Sequence, residues 1–424
     1  MRGVARSFYV RLGLIALIAL ALRAVYVIAL APTPAQLPDD TFWYAFVSQE
    51  IVLGHGFVIG HGALFSPGFR LEPTALHPPL YPLALAGLRG LGVTSIRHLL
   101  FFGAVTGTAT VIGLGLLGRA LARPRVGLAA ATIAAVYPLL IVTDGALLSE
   151  TLYGSALILV LAAALALARR PAVRRAAFLG AAVGLAALVR SEALALVVLL
   201  GFPLAWRGPA GRARALRLAA SVVCAVIVIA PWVIRNENTL GTLTLSTNDG
   251  VTLAVTNCAA TYSGSSLGYL DGYCVPQLTG PEAQQSATLA RQGLHYAVHH
   301  IGRLPIVVLA RLASTWGLFH PFRASVDEGR TASVSNIGVV FYYPLALLAI
   351  GGAWKLRRRR AELWVLLAPF LLTSLVAAAT YGSLRLRYLG ELPLVLLAAV
   401  GVGALWERLV MRRVPGPAGV ATTA

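Results

Sequence analysis

Long apolar runs separated by short polar segments are the main pattern of this 424-residue chain. A helix needs roughly 20 apolar residues to cross a hydrocarbon core of about 30 Å, and ten runs approach that length. Two of them are short and meet at Arg190 and Glu192, which we expect to form a structural pair rather than to take part in the function. The pattern predicts membrane spans at residues 12–31, 98–118, 126–143, 147–168, 176–189, 193–206, 216–234, 337–354, 361–379 and 389–406.

Composition supports an all-α polytopic membrane protein. The chain is 58% hydrophobic and 12% charged, with a mean hydropathy of +0.77, whereas a soluble domain carries about 25% charged residues. The net charge of +19 would suggest a nucleic-acid partner if it formed one patch. Instead, 22 of the 35 basic residues lie in six short segments between or beside the spans, at 2–11, 119–125, 169–175, 207–217, 355–360 and 408–413. This is the positive-inside signal, so we expect both termini in the cytoplasm, a plasma-membrane location and no nucleic-acid partner.

The predicted spans leave two long segments on the outer side, 32–97 and 235–336. The first belongs to an N-terminal membrane module, 1–234, and the second forms a separate outer region ahead of the C-terminal helices and tail, 337–424. The sequence LSTNDGVTLAVTN near the start of the second segment predicts some β character there.

The stretch 306–319 in the second outer segment is apolar, but Arg311 interrupts it. An eleventh span here would move the basic cluster 355–360 to the outside, against the positive-inside rule. We therefore expect an amphipathic helix along the outer interface. Cys258 and Cys274 lie in the same segment, and either a disulfide or two free thiols fits the sequence.

Acidic residues are concentrated on one side of the predicted membrane. Fourteen of sixteen fall outside or at the outer edge, and because carboxylates contribute little to orientation, the asymmetry indicates chemistry on that side. Asp39 and Asp40 follow the first span directly. Residues 42–54 then predict a short interfacial helix opened by an Asp cap and closed by Gly54. One Asp is enough for the cap, which leaves the other carboxylate for another role.

The first outer segment continues through a Gly-rich stretch to HPPLYPLALAGL at 77–88. Pro78 and Pro79 restrict the backbone and so fix the angle at which His77 is presented. Residues 80–88 predict a helix too short to span.

Five stretches in this order resemble the GT-C membrane glycosyltransferases, and within them the branch of protein mannosyltransferases, aminoarabinose transferases and RgtA/B/C/D-like enzymes. They are the Asp pair with its helix, HPPLYP, LLSETLY (147–153) after Asp144, PWVIRN followed by STNDG (231–250), and YGSLRLRYLGELPLVLLAAVG (381–401). The resemblance covers essentially the whole chain. It implies transfer of a sugar, with inversion, from a polyprenyl-phosphate donor to an extracytoplasmic acceptor.

The resemblance also implies roles for the matched residues. Such a reaction needs a carboxylate that takes the acceptor proton and cations that hold the departing phosphate. By correspondence with the family Asp39 is the base, and Asp40 is the second candidate. His77 stands where aminoarabinose transferases have a Lys near the donor phosphate; a metal ligand and a plain turn residue are its alternatives. Tyr81 and Tyr381, beside these motifs, are assigned to the substrate site.

Two further pairs are matched by the resemblance. Asp144 and Glu150 flank a short outer turn, where family analogy predicts an active-site wall or a divalent-metal site, with helix capping as the alternative. Arg385 and Arg387 are expected to point in one direction and to hold the donor phosphate, with snorkelling to the headgroups as the alternative. No cofactor is required by the sequence, and a divalent metal stays open.

Transporters, flippases and non-catalytic assembly subunits are the alternatives to a membrane enzyme. Transporters and flippases place ionisable groups near the bilayer midplane, often in repeated halves, whereas the middles of these spans are nearly free of charge and the halves show no repeat. A non-catalytic assembly subunit would not need the Asp pair and HPPLYP. The sequence therefore favours a glycosyltransferase whose acceptor is a cell-envelope glycan, a lipid or a protein.

Overall fold

The computed structural model describes residues 2–32, 39–61, 70–276, 278–322 and 331–413. Within these ranges the chain forms sixteen α-helices and one two-stranded antiparallel sheet. In chain order the elements are α1 (Arg2–Val25), α2 (Asp39–Val52), β1 (Val58–His61), β2 (Arg70–Pro73), α3 (Leu80–Gly90), α4 (Ile96–Leu121), α5 (Pro124–Val136), α6 (Pro138–Asp144), α7 (Glu150–Arg169), α8 (Val173–Ala187), α9 (Phe202–Ala205), α10 (Arg212–Leu240), α11 (Asn248–Thr256), α12 (Glu282–His299), α13 (Leu304–Thr315), α14 (Ala332–Leu356), α15 (Arg360–Ala379) and α16 (Tyr388–Arg413).

The all-α polytopic fold is confirmed. Within the described ranges, seven helices are long and apolar enough to cross a membrane, and the pair α5 and α6, bent by 60°, makes eight if it counts as one span. Two predicted spans are shorter. One is α8, and the other is a run of 3-10, π and α turns that ends with α9. Each has 15 residues, or about 22 Å of helix, so length and composition identify seven or eight spans of the ten predicted.

Glycines allow the membrane helices to pack closely. A methyl group at Gly180 in α8 would overlap the carbonyl oxygen of Ser221 in α10, and one at Gly352 in α14 would overlap that of Leu397 in α16. These are the small residues through which membrane helices bring their backbones together. The large buried core runs across these helices and through α4 to α8.

The first outer segment packs against one end of the membrane helices. Trp43 and Tyr44 of α2 pack with Tyr81 and Leu85 of α3 in a buried cluster that also includes Leu99 of α4. The predicted interfacial helix begins at Asp39 rather than at 42, so Asp40 lies in its first turn instead of capping it. The helix ends near Gly54, whose φ of +86° is readily adopted by glycine.

The second outer segment is helical where β character was expected. VTLAV lies in α11, which packs along α12. Added methyl groups at Gly250 and Gly293 would overlap backbone atoms of the partner helix, so the close approach of two helices outweighs the β propensity of the valines. In the described part of the chain, the strands lie in the first outer segment and flank 62–69.

Two other features of this segment agree with the sequence. Cys258 and Cys274 form a disulfide, which decides the alternative left open. The stretch 306–319 is represented by α13, whose 12 residues extend about 18 Å, too short for an eleventh span. Arg311 of α13 is 1% exposed and donates to the carbonyl oxygen of Ala378 at the end of α15 (3.1 Å).

Candidate active site

A cavity of about 700 Å³ lies between the first outer segment, α10, α11 and the C-terminal end of α15. We call it the active-site cavity. Charged or titratable side chains line one part of it: Asp40, His77, Arg190, Glu192, Asp249 and Arg385. Apolar side chains from the membrane helices line another part: Leu194, Ile229, Val233, Val376 and Ala379.

Arg385 connects two carboxylates at this cavity. Its Nη2 lies 2.7 Å from Oδ2 of Asp40, and its Nε forms an ion pair with Glu150. The Glu150 side chain is only 2% exposed and also accepts a hydrogen bond from Nη1 of Arg190 (2.9 Å). Because an almost fully buried carboxylate is stable only when it is paired, Glu150 fixes the positions of both guanidinium groups.

Sequence reasoning underestimated Arg190 and Glu192. They were treated as a structural pair, and they are paired, with 2.6 Å between Nε and Oε1, but both also line the active-site cavity. The signal was an isolated pair of charges at the joint between two short apolar runs. Asp249 was missed as well, although it belongs to the STNDG motif.

His77 is held beside Asp40 by aromatic packing. Its ring centre is 4.8 Å from that of Trp43 and 5.0 Å from that of Tyr44. Nε2 of His77 lies 3.5 Å from Oδ1 of Asp40, which is longer than a well-formed hydrogen bond. The ring of His77 therefore lies beside the Asp40 carboxylate without a well-formed hydrogen bond to it.

The backbone just before His77 is held by the second outer segment. Oγ of Ser246 donates to the carbonyl oxygen of Leu76 (2.6 Å), and the amide of Thr247 donates to that of Ala75 (2.9 Å). The two outer segments thus form one wall, and the presentation of His77 depends on both.

The carboxylate of Asp40 is strongly stabilised in its ionised form. Burial raises the pKa of Asp40, but the positive charge of Arg385 and the contact with His77 lower it by more, so the pKa lies well below its ordinary value. The Asp40 side chain is therefore an ionised carboxylate at neutral pH. Its side chain is 28% exposed towards the cavity.

Arg387 points away from the cavity, so the expectation that it faces the same way as Arg385 is wrong. Its side chain is 0% exposed, Nε donates to Oε1 of Glu391 (2.6 Å), and its guanidinium carbon lies 3.8 Å from the centre of the Tyr342 ring. The expectation assumed an extended chain, but residues 384–387 form a turn, which separates the directions of the two side chains.

Asp144 and Tyr81 also lie away from the cavity lining, in contrast to their predicted roles. Asp144 forms an ion pair with Arg23 of α1 (2.6 Å), and both side chains are 1% exposed. The carboxylate fills space that Gly107 of α4 leaves open. Tyr81 is fully buried and packs edge-on against Tyr44, with 4.8 Å between ring centres.

The other predicted site residues lie at or behind the cavity, except Asp39. Asp40, His77, Arg385 and Tyr381 line the cavity, and Glu150 holds Arg385 from behind. Asp39 begins α2, but its side chain lies outside what the structure describes. Its role as the base therefore stays a prediction.

The side chains that the structure describes at the cavity, which do not include that of Asp39, do not form a divalent-metal site. Within the described ranges, no group of three or more His, Cys, Asp or Glu side chains is arranged to hold one. At the cavity, His77 lies 3.5 Å from Oδ1 of Asp40, and Arg385 already occupies Oδ2 of Asp40. A guanidinium thus takes the place that a cation would need.

Comparison with known proteins identifies the fold. No family model matches the chain, and no curated protein matches it. The apo crystal structure of the oligosaccharyltransferase of Archaeoglobus fulgidus matches with a TM-score of 0.56 and 15% identity, over 96% of this chain and 51% of that one. The same archaeal enzyme, AglB, in complex with an inhibitory peptide and a dolichol-phosphate matches with a TM-score of 0.52 and 14% identity, over 98% and 52%.

A third structure is less similar. ArnT from Cupriavidus metallidurans bound to undecaprenyl phosphate matches 97% of this chain and 81% of that one at 17% identity, but its TM-score of 0.40 is too low to support an argument. The chain spans about half the length of the oligosaccharyltransferases that it matches. At these identities the likeness shows the fold alone, and the chain has the fold of the matched part of the archaeal oligosaccharyltransferase.

Proposed function

We propose that this chain is an inverting glycosyltransferase, which moves a sugar from a polyprenyl phosphate to an acceptor outside the cytoplasm. The observation that carries the proposal is the active-site cavity, where Asp40 and Arg385 lie beside an apolar wall formed by α10 and α15. A lipid-linked sugar phosphate needs these three elements together: a base, a cation for the phosphate and an apolar surface for the isoprenoid.

The location of the cavity supports an outer site. α7 begins in the site at Glu150 and ends at the basic segment 169–175, and α15 begins in the basic segment 355–360 and ends at the cavity. The positive-inside rule keeps those basic segments in the cytoplasm. The cavity would then open on the opposite side.

In the proposed reaction we place the base at Asp40, which lines the cavity beside Arg385, with Asp39, the base by correspondence with the family, as its alternative. The acceptor hydroxyl gives its proton to this carboxylate as its oxygen attacks the anomeric carbon. The bond between that carbon and the phosphate oxygen breaks, and the phosphate leaves with the electron pair. Arg385 and Arg190, held by Glu150, stabilise the charge that develops on it. Attack from the side opposite the phosphate inverts the anomeric carbon.

The low pKa of Asp40 implies that binding of the donor would change the strength of this carboxylate as a base. In the free protein Arg385 favours the ionised carboxylate, which makes Asp40 a weak base. A donor phosphate that shares Arg385 would reduce this stabilisation, so the pKa of Asp40 would rise when the donor is bound. Proton abstraction would then be favoured in the complex with the donor.

The partners follow from the same geometry and from the relatives. One matched oligosaccharyltransferase structure contains a dolichol-phosphate and another an acceptor peptide. For this chain we propose a polyprenyl-phosphate sugar as donor and a cell-envelope glycan, lipid or protein as acceptor.

A reconstituted transfer assay tests the proposal. The full chain in proteoliposomes is given a panel of polyprenyl-phosphate sugars, and transfer is compared among the wild-type protein, Asp39→Asn and Asp40→Asn. We expect transfer from at least one donor and its loss in an Asp variant. Full turnover in both variants would contradict the assignment of the site, and movement of the intact donor across the bilayer without transfer would indicate a flippase.

A further inference from the structure

Five arginines surround a second cavity, of about 350 Å³, at the other end of α7 and α15. We call it the arginine pocket. Its charged lining consists of Arg169, Arg207, Arg358, Arg359, Arg360 and Glu362. Because α7 has 20 residues, the two cavities lie about 30 Å apart, which is one hydrocarbon thickness.

Glu362 holds two arginines of the pocket, Arg169 and Arg359, in place. Its carboxylate, 11% exposed, accepts a hydrogen bond from Nε of Arg169 (2.8 Å) and forms an ion pair with Arg359. The same two arginines donate to the carbonyl oxygens of Ala120 (2.7 Å) and Leu121 (2.6 Å) in the last turn of α4. Those carbonyls have no partner inside the helix, so the arginines also close the end of α4.

The other three arginines have no such partners. Within the part of the chain that the structure describes, the side chains of Arg207, Arg358 and Arg360 form no hydrogen bond or ion pair. Glu362 is the one acid in the lining, so the pocket has an excess of four positive charges. Like charges so close together repel one another, and a bound anion would relieve the repulsion.

Tryptophans show at what depth the pocket lies. Trp206, Trp354 and Trp406 are 60%, 65% and 59% exposed, and all three lie at this end of the helices. Trp206 directly precedes Arg207, and the guanidinium of Arg357 lies over the ring of Trp354 at 4.3 Å. Exposed tryptophans of membrane proteins are enriched at the headgroup level, which is where lipid phosphates are found.

We propose that the arginine pocket binds the phosphate of an acidic phospholipid headgroup, in the leaflet opposite the active-site cavity. Basic pockets between membrane helices are suited to such headgroups. Arg207, Arg358 and Arg360 donate to the phosphate oxygens, and Arg169 and Arg359 keep the pocket in shape. No residue of the active-site cavity takes part, so the site is independent of the proposed reaction.

The test compares two triple variants of the full chain. Arg207→Gln/Arg358→Gln/Arg360→Gln removes the free arginines of the pocket. Arg125→Gln/Arg174→Gln/Arg212→Gln is the matched control, because it removes the same charge from exposed arginines of the same face that are not part of the pocket lining. Each protein in mild detergent is titrated with short-chain phosphatidylglycerol or phosphatidylcholine, and native mass spectrometry gives the retained lipid. Thermal unfolding without lipid verifies that both variants are folded.

We expect the wild-type protein and the control to retain phosphatidylglycerol in preference to phosphatidylcholine. The pocket variant should lose affinity for phosphatidylglycerol by roughly tenfold or more. Unchanged affinity in the pocket variant, or an equal loss in the control, would overturn the proposal. If inorganic phosphate displaces the lipid at equal concentration, the pocket is a site for free phosphate and the assignment to a lipid is wrong.

Discussion

The active-site cavity and the arginine pocket lie at opposite ends of the same two helices and use arginine differently. In the cavity, Arg385 lies between Asp40 and Glu150. In the pocket, Glu362 is the one carboxylate among five arginines and pairs with two of them, Arg169 and Arg359. Alternating charges orient the groups of a reaction, whereas an excess of one sign attracts an anion and positions it less strictly. In this protein, the ion pairs that an arginine forms therefore indicate its role better than its positive charge alone.

The largest effect is expected at Asp40, which is paired with Arg385 and is proposed to accept the acceptor proton. Asp40→Asn should lower turnover by roughly 100- to 10,000-fold, the range in which a general base contributes. Asp249→Asn is the matched control, because Asp249 lines the same cavity but is not bonded to Arg385; we expect less than roughly tenfold. Turnover of both variants and of Asp39→Asn is measured with saturating donor. If Asp39→Asn alone loses turnover, the family correspondence is right and Asp40 is not the base.

The second largest effect distinguishes Arg385 from Arg387, which lie in the same turn. Arg385→Gln should lower kcat/KM for the donor by roughly 10- to 100-fold, because a hydrogen bond to a charged group contributes about 1.5–3 kcal/mol. Arg387→Gln should instead destabilise the protein by about 3–5 kcal/mol, since it leaves Glu391 buried without its partner. Donor kinetics and thermal unfolding are measured for both. A loss of donor affinity at unchanged Tm in Arg387→Gln would contradict the structure.

A smaller effect concerns pH. The pKa of Asp40 is below its ordinary value of about 3.9, so its pairing stabilises the fold fully above that pH, and this contribution is lost as the pH falls towards the lower pKa of the folded state. The Tm difference between the wild-type protein and Asp40→Asn should therefore stay constant between about pH 8 and 5. It should shrink below about pH 4. A difference that already shrinks near pH 6 would mean that Arg385 does not hold the carboxylate.

The smallest effect is expected from the arginine pocket on transfer itself. The triple variant at Arg207, Arg358 and Arg360 should keep turnover in detergent within about twofold, because the two sites are far apart and share no residue. Transfer assays at saturating donor check this. A loss comparable to that of Arg385→Gln would show that the two cavities act as one system.

Much of the fold could be predicted from the sequence because long apolar runs have few alternatives to membrane helices. The disagreement at α11 has a physical reason: VTLAV has β propensity, but Gly250 and Gly293 allow two helices to meet. The residues that meet are 36 positions apart (Gly250 and Ser286) and 40 positions apart (Gly293 and Leu253), and local propensity does not include such contacts.

The candidate site could be predicted only in part, because some side-chain directions and ion pairs depend on the three-dimensional structure. Resemblance placed Asp40, His77 and Arg385 together, and they line one cavity. The direction of Arg387 depends on whether residues 384–387 are extended or form a turn, and residue spacing does not decide this. The roles of Asp144 and Arg190 depend on partners 121 and 40 residues away, so their pairing could be found only in three dimensions.

The most direct measurement is a cryo-EM structure of the full chain with a bound polyprenyl phosphate. The account predicts phosphate oxygens at about 2.7–2.9 Å from guanidinium nitrogens of Arg385 or Arg190, with the isoprenoid along α10 and α15. Phosphate density in the arginine pocket alone, or anywhere else away from Asp40, would contradict it.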